Sequence, residues 1–148
     1  MKKAIILILT IFCLSNSYSQ IVDLSTGEQV GNSGYKTENL VVQDLKDKAY
    51  EKQQKEDYSG AILIYNKVIE LSPNNEMNYF QRGNLKYWNI QYEECIKDMN
   101  LGIAINPNEP DLYYYRALAN IKLNRLETAC KDLKKGNAEK ELLNEYCK

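Results

Sequence analysis

The chain reads as an all-α protein: a solenoid of three helix-turn-helix repeats with a C-terminal capping helix, behind an N-terminal export sequence. Three observations predict this. Apolar residues recur at helical spacing from about Val42 onward, similar phrases return every 34 residues, and Pro73, Pro107 and Pro110 all fall between the periodic segments.

Residues 1–19 have the layout of a signal peptide: basic Met1-Lys2-Lys3, an apolar run from Ala4 to Leu14, and small residues at Ser17 and Ser19. The apolar run is too short to span a bilayer comfortably, and no later segment is a candidate span. Cleavage after Ser19 is expected, with an uncleaved anchor as the alternative. Bulky Ile11 and Phe12 before Cys13 argue against lipidation there. Residues 20–41 lack helical periodicity and include Ser25-Thr26-Gly27 and Gly31-Asn32-Ser33-Gly34, so they read as an extended or disordered leader. A brief hairpin pairing Ile21-Val22 with Gln29-Val30 is marginal on its own.

The repeats follow, at 42–75, 76–109 and 110–137. Leu71-Ser72-Pro73-Asn74 returns as Ile105-Asn106-Pro107-Asn108, and in that register columns form: Leu45, Tyr79 and Tyr113; Ala49, Gly83 and Ala117; Tyr58, Tyr92 and Leu126; Ala61, Cys95 and Ala129; Tyr65, Met99 and Leu133. Small residues stand where paired helices approach closely. Helices are expected near 42–55, 59–71, 76–89, 92–105, 110–123 and 126–136, with a cap over 138–148 whose Leu142, Leu143 and Tyr146 share a face.

On these columns the chain resembles the tetratricopeptide repeat, most fully in the second repeat, with Tyr79, Arg82-Gly83, Tyr92, Cys95, Met99 and Pro107. Lys52, Lys86 and Asn120 depart from the pattern where an aromatic is frequent, and the third repeat has no closing proline. The resemblance implies a concave groove lined by the first helix of each pair. Its lining here is Gln43, Lys46, Tyr50 and Gln53, then Met77, Phe80, Asn84 and Tyr87, then Asp111, Tyr114, Leu118 and Ile121. Tyr50, Phe80, Asn84, Tyr87, Tyr114 and Leu118 are the expected peptide-binding residues, aromatic surface with an amide among it. The alternative is that the leader or the cap covers these rings. Members that grip an acidic chaperone C-terminus use a basic clamp; the matching positions here are Lys46, Tyr50, Gln81, Asp111 and Tyr115, so that mode is not expected.

Export leaves three cysteines, one pair at most plus one over. Cys95 shares a column with Ala61 and Ala129 and reads as a small buried hydrophobe. Cys130 shares a column with Ile62 and Ile96 on the side expected to face the cap, which carries Cys147. A Cys130–Cys147 disulfide is expected, with the cap crossing obliquely after a turn at Gly136. Charge runs such as Lys46-Asp47-Lys48 and Lys131-Asp132 read as solvated helix faces.

No catalytic reading emerges. The chain has no histidine, which removes the commonest general base and metal ligand. No phosphate loop, nucleophile elbow or metal-ligand spacing occurs, and adjacent Glu93-Glu94 point to different sides of a helix. The expectation is a non-enzymatic module with no cofactor and no bound metal. A formal charge of −1 argues against nucleic acid as partner. Its partner is a protein or peptide; the alternative is an assembly module that self-associates or stacks on other repeats. The Lys2-Lys3 start and Ser-Gln junction look bacterial, which implies the periplasm of a Gram-negative cell or the exterior, a factor acting on another organism included.

Overall fold

The computed structural model describes residues 21–22, 29–30 and 33–147, so the expected signal peptide and much of the leader lie outside the described residues. The chain divides into two units, Met1–Gly34 and Tyr35–Lys148. In the first, β1 (Ile21–Val22) pairs antiparallel with β2 (Gln29–Val30).

The second is helical: α1 (Ser33–Gln54), α2 (Tyr58–Leu71), α3 (Glu76–Trp88), α4 (Tyr92–Ile105), α5 (Pro110–Lys122), α6 (Leu126–Lys135) and α7 (Lys140–Tyr146). One boundary differs from expectation. The leader was to run to residue 41, but α1 begins at Ser33. Residues 33–41 carry no apolar stripe, so periodicity gives no signal there. Once packing of Val42 and Ala49 has nucleated the helix, each further turn needs only propagation, which is far less costly than nucleation.

Capping and turn chemistry set the other ends. Asp57 and Asn75 accept from the backbone N–H of Gly60 and Met77, opening α2 and α3. Each hairpin turn places one residue in the left-handed region: Glu56, Ile90 and Asn124, with φ of 57°, 61° and 58°. The next residue's N–H returns to the helix it left, from Asp57 to Lys52 O, Gln91 to Lys86 O and Arg125 to Asn120 O, at 2.8 to 2.9 Å. This is a helix stop that favours glycine or asparagine at the left-handed position. Asparagine fits it; isoleucine is strained there, by about 1–2 kcal/mol.

Close approach decides the interior. A Cβ on Gly83 would lie 2.6 Å from Met99 Cε and 3.1 Å from Asp98 Cβ, so α3 and α4 meet where a side chain is missing. Ala49, Ala61, Ala117 and Ala129 are likewise buried. Three apolar clusters result, centred on Tyr65 and Val68, on Met99 and Leu112, and on Ala117 and Leu133.

Polar staples tie the helices together. Arg82 of α3 forks onto Asp98 of α4 with contacts of 2.9 and 2.7 Å, and donates to Asn66 Oδ1 of α2 at 2.9 Å. One repeat later Arg116 forks onto Asp132 at 2.8 and 2.7 Å and donates to Asn100 at 2.6 Å. Lys86 adds a second cation to Asp98 at 2.8 Å. Both arginines lie over tyrosines, Arg82 over Tyr79 and Arg116 over Tyr113. The Lys131-Asp132 run was expected to be a solvated face; instead Asp132 is buried, because its partner arrives from α5 rather than from its own helix.

Asp98→Ala should leave Arg82 and Lys86 facing a dry site without a partner. A loss of about 3–5 kcal/mol is expected in urea unfolding monitored by circular dichroism. A loss below about 1 kcal/mol would show that the staple contributes little.

Candidate functional site

The first helices of the second and third repeats, α3 and α5, touch directly, and rings wall their shared face. Tyr115 of α5 is the hub. It meets Phe80 edge-on with centroids 5.3 Å apart, Tyr87 at 6.2 Å and Tyr114 at 5.8 Å. From Tyr87 the contact continues to Tyr92 of α4 at 5.5 Å and to Trp88 at 5.6 Å. Four of these five contacts are near-perpendicular, the arrangement the π quadrupole favours, and Tyr87–Tyr92 is tilted at 59°. Burial holds the Tyr87 phenol above its ordinary pKa, with Tyr92 adding to the effect, so it stays protonated and able to donate.

Asn84 lies one turn beyond Phe80 on α3, and Leu118 holds the equivalent place on α5; both are half-buried. Among the described residues no side chain hydrogen-bonds the Asn84 amide. Tyr50, the same position on α1, is 61% exposed. Tyr50, Asn84 and Leu118 thus form a column without charge, beside a wall whose Phe80 and Tyr87 are committed to core packing.

Tyr114 behaves differently. It packs on the cluster of Ala117, Ala129 and Leu133, as Ala138, Leu142, Leu143 and Tyr146 of the cap do. The approach is possible because Gly136 runs against α5: a Cβ there would lie 2.7 Å from Tyr114 N. Between cap and α5 a cleft of about 400 Å³ is lined by Asp111, Tyr114, Leu142 and the carboxylates of Glu139, Glu141 and Glu145.

Cys130 and Cys147 form a disulfide, their Cα atoms 5.1 Å apart. No residue of α7 is fully buried, and this bond adds a covalent tie from the end of the cap to α6. Cys95 is a free thiol, buried, and burial pushes its pKa up to about 12, which keeps it protonated and unreactive. No helix among the described residues is long and apolar enough to cross a membrane. No group of three His, Cys, Asp or Glu among them is placed to hold a metal ion.

Two features escaped sequence reading. Tyr115 was weighed only as a clamp position, and its hub role depends on α3 and α5 being neighbours. The staples had a legible signal, since Arg82 and Arg116, and Asp98 and Asp132, are each 34 apart.

No protein-family model matches the chain. It is similar to Hsc70-interacting protein 1 of Drosophila melanogaster, 30% identical over 115 residues, which is 76% of this chain and 30% of that protein. The chain therefore spans less than a third of the length of that relative. Among solved structures it is similar to the first TPR of Spaghetti (RPAP3) bound to HSP90 peptide SRMEEVD, with TM-score 0.64 and 26% identity over 72% of this chain and 87% of that one. It also superposes on PcrH in complex with the chaperone binding region of PopD, with TM-score 0.63 and 16% identity over 66% of this chain and 74% of that one.

Cys147→Ser should release the cap and lower stability by about 3 kcal/mol. Unfolding curves taken with and without reductant provide the check. Reductant should bring the native chain down to the variant's level and leave the variant unmoved.

Proposed function

We propose that this chain, which has the tetratricopeptide-repeat fold, is a non-enzymatic binding module that takes a peptide segment of a partner protein along α3 and α5. The observation that carries the reading is the uncharged column of Tyr50, Asn84 and Leu118 beside a ring wall, with the Asn84 amide available to a peptide backbone. Large aromatic surface with few polar groups binds through apolar contact area, and rings already packed on one another lose little entropy when a ligand arrives. The relation to peptide-bound structures of this fold supports the same use.

The ligand's charge follows from the far end of the face. An acidic C-terminus such as SRMEEVD would bring carboxylates toward Asp111, with Glu139, Glu141 and Glu145 beside it. Like charges in one cleft repel. Of the other clamp positions only Lys46 is a cation, at the opposite end of the repeats, while Tyr50, Gln81 and Tyr115 are neutral. The ligand is therefore a peptide without an acidic terminal cluster, read by its apolar side chains. Leu118→Glu should reduce the affinity for a peptide selected from a displayed random library by about tenfold or more. SRMEEVD should give no saturable signal in calorimetry. Tight binding of SRMEEVD would refute the charge argument, and an unchanged affinity in Leu118→Glu would refute the face.

We further propose that the module works after export from a bacterial cell, in the envelope or outside it. The disulfide supports this, since such bonds persist in oxidising compartments. Expression of the full chain in a bacterium with an outer membrane should yield a periplasmic product that begins at Gln20 by intact mass. A product retaining Met1 in the cytosol, with Cys130 and Cys147 reduced, would count against it.

A further inference from the structure

The three hairpin turns share one backbone shape but not one residue type. Glu56 and Asn124 occupy the left-handed position of the first and third, and Ile90 that of the second. A β-branched residue is the poorest choice for this conformation. Ile90 recovers little by burial, for it is 73% exposed. Folding and solubility both disfavour it, so the reason for an isoleucine here lies in what the side chain meets outside the molecule.

Its surroundings have the same character. Trp88, two residues earlier, is 54% exposed. Ile90, Tyr92 and Leu123 line a cleft of about 350 Å³ together with Gln91, Glu93 and Glu94. Both carboxylates already have a cation, Glu93 in Arg125 and Glu94 in Lys97, so neither calls for a charged ligand. The cleft shares a residue with the ring network, because Tyr92, which lines it, contacts the Tyr87 ring, as Trp88 does.

We infer that the α3–α4 turn is a second subsite for the same ligand. A peptide lying on the α3–α5 face continues over the turn and seats an aliphatic or aromatic side chain between Ile90, Tyr92 and Leu123, against Trp88. This rests on the peptide-binding reading of that face and adds where the segment leaves it and what residue it carries there. The Tyr92–Tyr87 contact, which joins this cleft to the face proposed for the peptide, favours a peptide as the occupant over a second copy of the chain.

The test uses the full exported chain and peptides recovered on it from a displayed random library, with affinities read by fluorescence anisotropy. Ile90→Asn restores the residue type of the third repeat, so it should raise the melting temperature by roughly a few degrees while weakening the peptide about tenfold. Trp88→Ala should weaken it similarly, and Ile90→Gly serves as a second strain-relieving variant. Recovered peptides should share an apolar residue at one fixed position. If Leu118→Glu removes binding and the Ile90 and Trp88 variants do not, the subsite is wrong and the face stands. Should the Ile90 variants remove binding while Leu118→Glu does not, the face is wrong, and with it a subsite joined to it. Recovery of no peptide, or a dimer in light scattering that Ile90→Asn abolishes, overturns the proposal. An unchanged or lowered melting temperature in both Ile90 variants removes its premise.

Discussion

The stack depends on an interaction that crosses three helices at a time. Each arginine, Arg82 and Arg116, forks onto an aspartate of the helix after it and donates to an asparagine of the helix before it. Apolar packing between helices is forgiving, since ridges slide along grooves at modest cost. A planar guanidinium held by a carboxylate on one side and an amide on the other is not, because its donors point in fixed directions. The staples therefore fix the rotation of each repeat on the one before, and that rotation sets the distance between α3 and α5.

That distance creates the face shared by α3 and α5. Phe80 and Tyr115 come from helices that do not follow one another in the chain, and their edge contact exists only because the repeats stack in one orientation. The rings are thus half core and half surface. They hold adjacent repeats together and leave Asn84 and Leu118 half-buried beside them. At the far end the stack needs a different solution, because α7 is short and buries no residue completely. The disulfide from Cys147 to Cys130 ties the cap to α6, and the bare backbone of Gly136 lets the turn before it run against α5. Tyr114 becomes part of that closure rather than free surface.

Legibility in the sequence followed period. The columns of small and large residues gave the repeats, the free buried thiol at Cys95 and the pairing partner of Cys130. The same reading missed the helical extension over residues 33–41, where no apolar stripe marks a face. It also took Asp132 for part of a solvated run, because adjacent lysines dominate the local pattern. The arginine that buries it lies 16 residues upstream. The site was half legible: Phe80, Tyr87, Asn84 and Leu118 were placed by register, while Tyr115 and Trp88 were not.

The sequence by itself determined the number of repeats, their phase and the residues at close approach, since a helix imposes its 3.6-residue period on any chain that forms it. Only the tertiary structure decided which rings are wall and which are capped, which carboxylates are dry, and that Ile90 stands exposed in a left-handed turn. Those properties belong to distances between helices and to surface left uncovered, and neither is encoded in the spacing of residues along one helix.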